Sequence, residues 1–361
     1  MQVALVHDWL IQMRGGEKVL ESLCELYPHA TIYTLFARRR RLSLRLQQMN
    51  IKTSFLQWFP GIHLYYRWLL PLFPWAIRSL KISHGSLIIS SSHCVSKGVS
   101  FPVGAKHICY CHTPMRYAWG FQEDYFGKFP NWIRRLLEKV MTRLRAWDLD
   151  KNRQVNVFIA NSNYIKERIK TYYDRDASVI YPPCETEQFK LGHEAKEDYY
   201  LVVSAFVPYK KVDLAIEAFN DLDRILYVVG DGPERKRYEG LKRNKRIRFL
   251  GSISGTELIP LYQRAKALIF PTEEDFGIVP IEAQACGTPV IAFAKGGALE
   301  GVKSGIFFEE QTAESLKNAI MVFEKKSFNS AEIAEKVQFF SKERFQKEMQ
   351  NLIQEQHYAR C

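Results

Sequence analysis

Residues 273–287 read EEDFGIVPIEAQACG, placing Glu274 and Glu282 with seven residues between them, among these an aromatic, a glycine and a proline. Carboxylates at such a spacing accept hydrogen bonds from hydroxyl groups, and the stretch between them offers backbone donors. The preceding ALIFPT reads as a buried strand, and VPIEAQAC as a helix with Pro280 in its first turn, where proline is tolerated. The loop between them joins a strand's carboxyl end to a helix amino end. Amides of Phe276, Gly277 and Ile278 therefore lie where N–H groups lack intrahelical partners and the helix dipole is positive. Gly277 permits close approach to the backbone. Such a loop favours an anion, for example a diphosphate, or the polar edge of a sugar. A plainer reading of each acid stands beside this one: Glu282 as a capping residue and Glu274 as a solvated acid.

Other residues gain meaning only from their positions. In MRGGEK, Gly15 and Gly16 open a helix after the first strand, which by itself is a tight turn. His112 in YCHTP follows a strand, the place where open α/β sheets meet ligands. Tyr117 and Trp119 suit either stacking on a sugar or packing in a core. Cys109, Cys111 and His112 lack a second ligand pair at a metal-site spacing, so no metal is expected. VVGDGPERKR supplies Gly230 and Gly232 without the third glycine of a dinucleotide fingerprint, which argues against an oxidoreductase.

The elements needed to hold these residues alternate along the chain. QVALVH, SLIISS, KHICYC, NVFIAN and SVIYP read as strands of a first half. YYLVVSAF, RILYVVG, RIRFLG, ALIFPT, PVIAFA and GIFFEE do so in a second, with helical patterns between them. The expected fold class is α/β, with two doubly wound Rossmann-like domains facing a central cleft. Residues 1–182 form the first, 183–198 a charged, proline-containing linker, and 199–340 the second. Residues 341–361 form a helix expected to pack back on the first domain.

Charge divides the same way. Residues 1–190 carry 27 Lys and Arg against 14 Asp and Glu, and residues 191–361 carry 24 against 25. A basic half attracts polyanions. The arginine run at 38–41 lacks a recognition helix, zinc ligands or an aromatic RNA-binding signature, so no nucleic acid is expected. Residues 55–80 are rich in tryptophan and tyrosine but are broken by Pro60, Pro71 and Pro74 and carry charges, which excludes a membrane span. With the arginines they suit a surface resting on an anionic membrane, or else a buried hairpin. The seven scattered cysteines point to a reduced, cytoplasmic chain, and the first residues read as a strand rather than a leader.

The segment PTEEDFGIVPIEAQACGTPVIAFAKGGALEGV closely resembles the donor-site signature of glycosyltransferase family 4, whose fold is GT-B. The likeness continues in VPYKKVDLAIEAF, YVVGDGPERKRYEGL, HDWLIQMRGGEKVLESL, ICYCHTPMRYAW and FIANSNYIKERI. This resemblance implies that Glu282 binds the ribose hydroxyls and Glu274 the transferred sugar, with the amides of Phe276, Gly277 and Ile278 on sugar and phosphate oxygens. It implies that Lys210, or Lys211 in its place, neutralises the diphosphate leaving group, and that Gly15 and Gly16 let backbone approach the phosphate–sugar region. His112 would lie near the transferred sugar, and Tyr117 and Trp119 near an acceptor. An arginine usual in the family is replaced here by Ala205, which removes a charge-assisted contact of about 1.5–3 kcal/mol. The implied activity is that of a retaining hexosyltransferase without cofactor or metal. Its partners would be a nucleotide sugar, GDP-mannose with UDP-glucose or another UDP-sugar as alternative, and a lipid-linked saccharide acceptor of O-antigen type. The expected location is peripheral, on the inner face of the cytoplasmic membrane.

Overall fold

The computed structural model describes residues 2–120, 130–192, 194–253 and 255–358, which fall into two compact units: residues 1–183 with 345–361, and residues 184–344. Each is built on one all-parallel sheet. In the first, strands β1 (Val3–His7), β2 (Thr31–Thr34), β3 (Asn50–Thr53), β4 (Leu87–Ser92), β5 (Lys106–Cys111), β6 (Val157–Ala160) and β7 (Ala177–Val179) run in the order β3-β2-β1-β4-β5-β6-β7. Every residue of β1 and β4 is buried, as expected of central strands covered on both faces. β2 and β3 extend the sheet beyond the strands expected from sequence.

Strand order reverses between β1 and β4, and open sheets of this kind bind ligands outside the carboxyl ends at such a point. The register pairs His7 of β1 with Ser91 of β4, and Ser92 with Cys111 of β5, so His112 emerges one residue beyond the sheet. The helix Gly15–Leu26 starts close by; the backbone N–H of Arg14 donates to Glu17 Oε2 (3.1 Å), which satisfies a donor the helix cannot. Val19, Leu20, Leu23 and Cys24 turn its apolar face into the core. The C-terminal helix Lys342–Tyr358 sets Phe345, Met349 and Ile353 into that core, the Phe345 ring lying 5.8 Å from Tyr110. Cys361 and the two residues before it lie outside the described residues.

In the second unit, β8 (Tyr199–Val203), β9 (Ile225–Val229), β10 (Ile247–Gly251), β11 (Ala267–Phe270), β12 (Val290–Phe293) and β13 (Gly305–Phe308) take the order β10-β9-β8-β11-β12-β13. Here the reversal falls between β8 and β11. Residues 184–198 pack as part of this unit rather than standing off as a linker, because Cys184, Thr186 and Phe189 are buried and the Phe189 ring meets Tyr262 at 5.9 Å.

The segment 55–80 folds into short helical turns with two faces. Leu56, Ile62, Tyr66, Leu70, Phe73 and Ile77 are buried in the core, whereas Trp58, Leu64, Trp68 and Trp75 are 85, 81, 71 and 65% exposed. Among the described residues no helix is long and apolar enough to cross a membrane.

Candidate functional site

In the second unit the loops leaving β8 and β11 meet at the point of strand reversal. After β8 the chain makes a short turn, Pro208–Lys210, and Lys211 adopts the left-handed conformation (φ 52°) before the helix Val212–Asn220 begins. A non-glycine residue there costs on the order of 1 kcal/mol, so the bend is imposed by its surroundings. It brings Lys210 Nζ onto Glu274 Oε1 as an ion pair, and Thr272 Oγ1 donates to the Tyr209 carbonyl at 3.0 Å, tying the two loops together. Among the described residues Lys211 has no such partner, so of the two lysines left open by the sequence it is Lys210 that the fold joins to Glu274.

Gly277 (φ 88°) caps the helix Ile278–Ala285, whose first amides have no carbonyl of their own turn to bond. Phe276 is buried with its ring 5.6 Å from Phe340, which anchors the loop from behind. Glu282 is the fifth residue of that helix, too far along to cap it, and is only 8% exposed. It accepts a hydrogen bond from the Tyr262 hydroxyl at 3.3 Å. Burial and this carboxylate push the Tyr262 hydroxyl well above its usual range, which keeps it a donor.

The clamp on this loop was not legible as such in the sequence. Gly297 N donates to the Glu274 carbonyl at 2.8 Å, and a Cβ built on Gly297 would lie 2.2 Å from Phe276 Cα. One built on Gly296 would lie 2.3 Å from the Glu274 carbonyl oxygen. Only a glycine pair lets the loop rest backbone on backbone. Gly297→Ala is expected to displace residues 274–277 and cost about 1–3 kcal/mol of stability, an overpacking effect read directly by denaturant unfolding. Gly230 and Gly232 serve the same purpose on the other side. Their Cβ positions would fall 1.8 Å from the Ser204 oxygen and 2.5 Å from the Phe206 oxygen, so they let β9 press against the loop carrying Ala205.

The first unit gathers a second set at the ends of β1, β4 and β5. Asp8 is fully buried and accepts the backbone N–H groups of His93, Cys94, Val95 and Ser96 at 2.6–3.0 Å, with His93 Nδ1 at 3.1 Å. Burial pushes this carboxyl up, yet each of these partners is a donor, so the arrangement is that of the ionised form. His7 Nδ1 lies 3.0 Å from Ser91 Oγ, which lies 2.7 Å from His112 Nε2. Asn161 Nδ2 holds the His112 carbonyl at 3.0 Å. Gly15 begins the nearby helix, and a Cβ on Gly16 would sit 3.4 Å from the His7 ring and 3.6 Å from that of His112. Asp8, His7 and Ser91 went unnoticed in the sequence because only strand register brings them to His112.

Trp119 is occupied internally: its Nε1 donates to Asp148 Oδ2 (2.9 Å), and its ring lies 5.1 Å from Tyr172. Asp148 also pairs with buried Lys97 at 2.6 Å and accepts from Tyr173 at 2.7 Å. Tyr117 is half-buried against the same core. Of the two roles open to Trp119, packing is the one the structure displays. Cys109 and Cys111 are buried in β5, and no metal-binding cluster occurs among the described residues. A cavity lined by Cys184, Thr186, Gln188 and Lys342 holds none of the candidate residues.

The buried histidines set an acid limit. Burial pushes both His7 and His107 down to about 3 from an ordinary 6.5. Their rings stay neutral when folded but take protons when unfolded, so stability present above pH 6.5 is lost as pH falls towards 3. Each contributes up to about 1.4 kcal/mol per pH unit within that window. Glu17 opposes them: burial raises it from 4.5 to about 7, so its contribution grows as pH falls through that range. His93 and His112 are lowered alike, so four histidines stand against Glu17 and the raised Asp8, and urea midpoints are expected to drop on acidification below pH 6.

Two Rossmann-like units, each parallel and each with its polar residues at the strand reversal, define the GT-B class. The profile described as Glycosyltransferase Family 4 matches residues 13–188, and that of Glycosyl transferases group 1 matches residues 183–355. The chain belongs to glycosyltransferase family 4. An uncharacterised glycosyltransferase of Methanocaldococcus jannaschii is 35% identical over 170 residues, 45% of this chain and 48% of that protein. The chain thus spans about half the length of this curated relative, and less of the mycobacterial D-inositol 3-phosphate glycosyltransferases it also matches. Among solved structures, sucrose-phosphate synthase from Thermosynechococcus elongatus has a TM-score of 0.75 at 20% identity, covering 99% of this chain and 100% of that one. Anabaena HepE in complex with UDP and glucose has a TM-score of 0.72 at 18% identity, covering 98% and 100%.

Proposed function

We propose that the protein is a retaining, metal-independent glycosyltransferase that moves mannose from GDP-mannose onto a lipid-linked oligosaccharide in bacterial surface polysaccharide synthesis. The observation that carries this reading is the Lys210–Glu274 pair set beside a helix amino end, with Glu282 buried in the same helix. In glycosyl transfer the bond from the anomeric carbon to the diphosphate breaks, a bond to an acceptor hydroxyl forms, and negative charge gathers on the departing phosphate. A fixed ammonium and preorganised amides stabilise that charge. Lys210 and the amides beginning at Ile278 would supply both. Glu282 would accept the ribose hydroxyls, and Glu274 those of the hexose. The donor assignment rests on resemblance to mannosyltransferases of O-antigen assembly. A UDP-sugar is the second reading, favoured by likeness in fold to HepE in complex with UDP and glucose.

The exposed Trp58, Leu64, Trp68 and Trp75, on a unit rich in Lys and Arg, support contact with an anionic membrane, which would suit a lipid-linked acceptor at the inner face. Two experiments test the reading. Transfer assayed against a panel of GDP- and UDP-sugars should single out one donor, and consumption of none would refute it. Flotation with vesicles containing anionic lipid should show binding that weakens with salt, and more so in Trp68→Ala; indifference to lipid charge would remove the membrane from the account.

A further inference from the structure

His7, Ser91 and His112 form a closed hydrogen-bonding problem. Ser91 Oγ is fully buried between His7 Nδ1 (3.0 Å) and His112 Nε2 (2.7 Å), so its single proton must point to one ring and its lone pair receive a proton from the other. If both rings donated to Ser91, its own proton would be stranded; if neither did, two lone pairs would face each other. Two arrangements remain, and they differ at the far end. His7 Nε2 is buried with no partner. When Ser91 donates to His7, that nitrogen must carry the proton and becomes an orphaned N–H. When His7 donates to Ser91, it is a bare acceptor instead. Orphaned buried donors are the rarer outcome, and leaving such a group unmade costs about 1–3 kcal/mol.

We infer that His7, through Ser91, fixes His112 in the tautomer protonated on Nδ1, so that His112 offers its site a hydrogen-bond donor and not a general base. His7 is then a positioning residue. Both rings are held neutral by burial, down to about 3, so the choice between tautomers persists across the working range of pH. The groups around them fit a neutral pair: ionised Asp8 is satisfied by four amides, and His93 donates to it at 3.1 Å. Nδ1 of His112 has no hydrogen-bond partner among the described residues, and the ring is only partly buried, so a donor there is available to a sugar oxygen. The functional arm rests on the transferase reading, whereas the tautomer itself does not.

Two-bond proton–nitrogen correlation spectra of the full chain, labelled with 15N-histidine at neutral pH, read the tautomer directly, with His112→Gln identifying the signals. The expected pattern is His112 protonated on Nδ1. In His7→Asp, whose carboxylate can only accept, Ser91 should turn its proton to residue 7 and that pattern give way to the other tautomer, with kcat falling about 100-fold, the scale of a misplaced group, and donor KM little changed. His7→Asn, whose amide N–H can reach the same hydroxyl, should recover both. A wild-type His112 protonated on Nε2 overturns the inference, and an unchanged pattern in His7→Asp overturns the role of His7. Protonation on Nδ1 in a protein that turns over no nucleotide sugar upholds the hydrogen-bond chain and overturns the transferase reading.

Discussion

Lys210→Ala is expected to lower kcat for sugar transfer roughly 100- to 1,000-fold, the loss seen when one preorganised donor to a developing anion is removed. Two effects act together. The departing diphosphate loses its cation, and Glu274 loses the ammonium that neutralises it. The side chains of this pair are only 16 and 22% exposed, so water compensates poorly for the missing charge. An unpaired Glu274 then repels the phosphate beside the sugar it should help to orient. Lys210→Ala/Glu274→Ala should therefore recover part of the binding lost in Lys210→Ala, without recovering the rate. Turnover by Lys210→Ala equal to wild type would assign the leaving group to another cation.

Glu282→Ala should weaken nucleoside diphosphate binding about 10- to 100-fold, since a hydrogen bond to a charged group contributes about 1.5–3 kcal/mol. The carboxylate is buried yet joined to a tyrosine that can only donate to it, which leaves capacity for further hydroxyl donors. Glu282→Gln separates charge from shape: it should keep the helix intact and still lose most of the affinity. Titration calorimetry with GDP and UDP checks both variants, and affinity unchanged in Glu282→Ala would remove the ribose role.

The parts visible in the sequence were those carried by local pattern. β1 and β11 open as continuous apolar runs, β4 and β5 hold the apolar cores Leu87–Ile89 and Ile108–Cys111, and the loop EEDFGI stands out between a strand and a proline-opened helix. β2 and β3 were missed because TIYT and NIKT are four-residue stretches with two polar residues or more, too short and too polar to stand out from turns. Residues 184–198 looked like a tether because three buried side chains, spaced without period, carry their packing. The long helix Asn131–Asn152 also went unread, although Met141 and Leu144 face the core from it.

The site was half legible for a related reason. Glu274, Glu282 and Lys210 lie in segments whose wording matches a family; Gly296 and Gly297 lie in one too, but their clamp on a loop some twenty residues earlier shows only as a close backbone contact. His7 and Ser91 are 84 positions apart, and nothing local relates them; parallel pairing of β1 with β4 does. Trp119 is the reverse case. Its type left a sugar platform and core packing equally open, and a buried aspartate holds its indole nitrogen.

The most direct measurement of the central claim is calorimetric titration of the full chain with GDP-mannose, UDP-glucose and NAD, each repeated on Glu282→Ala. One of the two sugar nucleotides should bind at a single saturable site, NAD should not, and the variant should lose most of that affinity. Binding of neither sugar nucleotide, or binding as tight in the variant as in the wild type, would contradict the account.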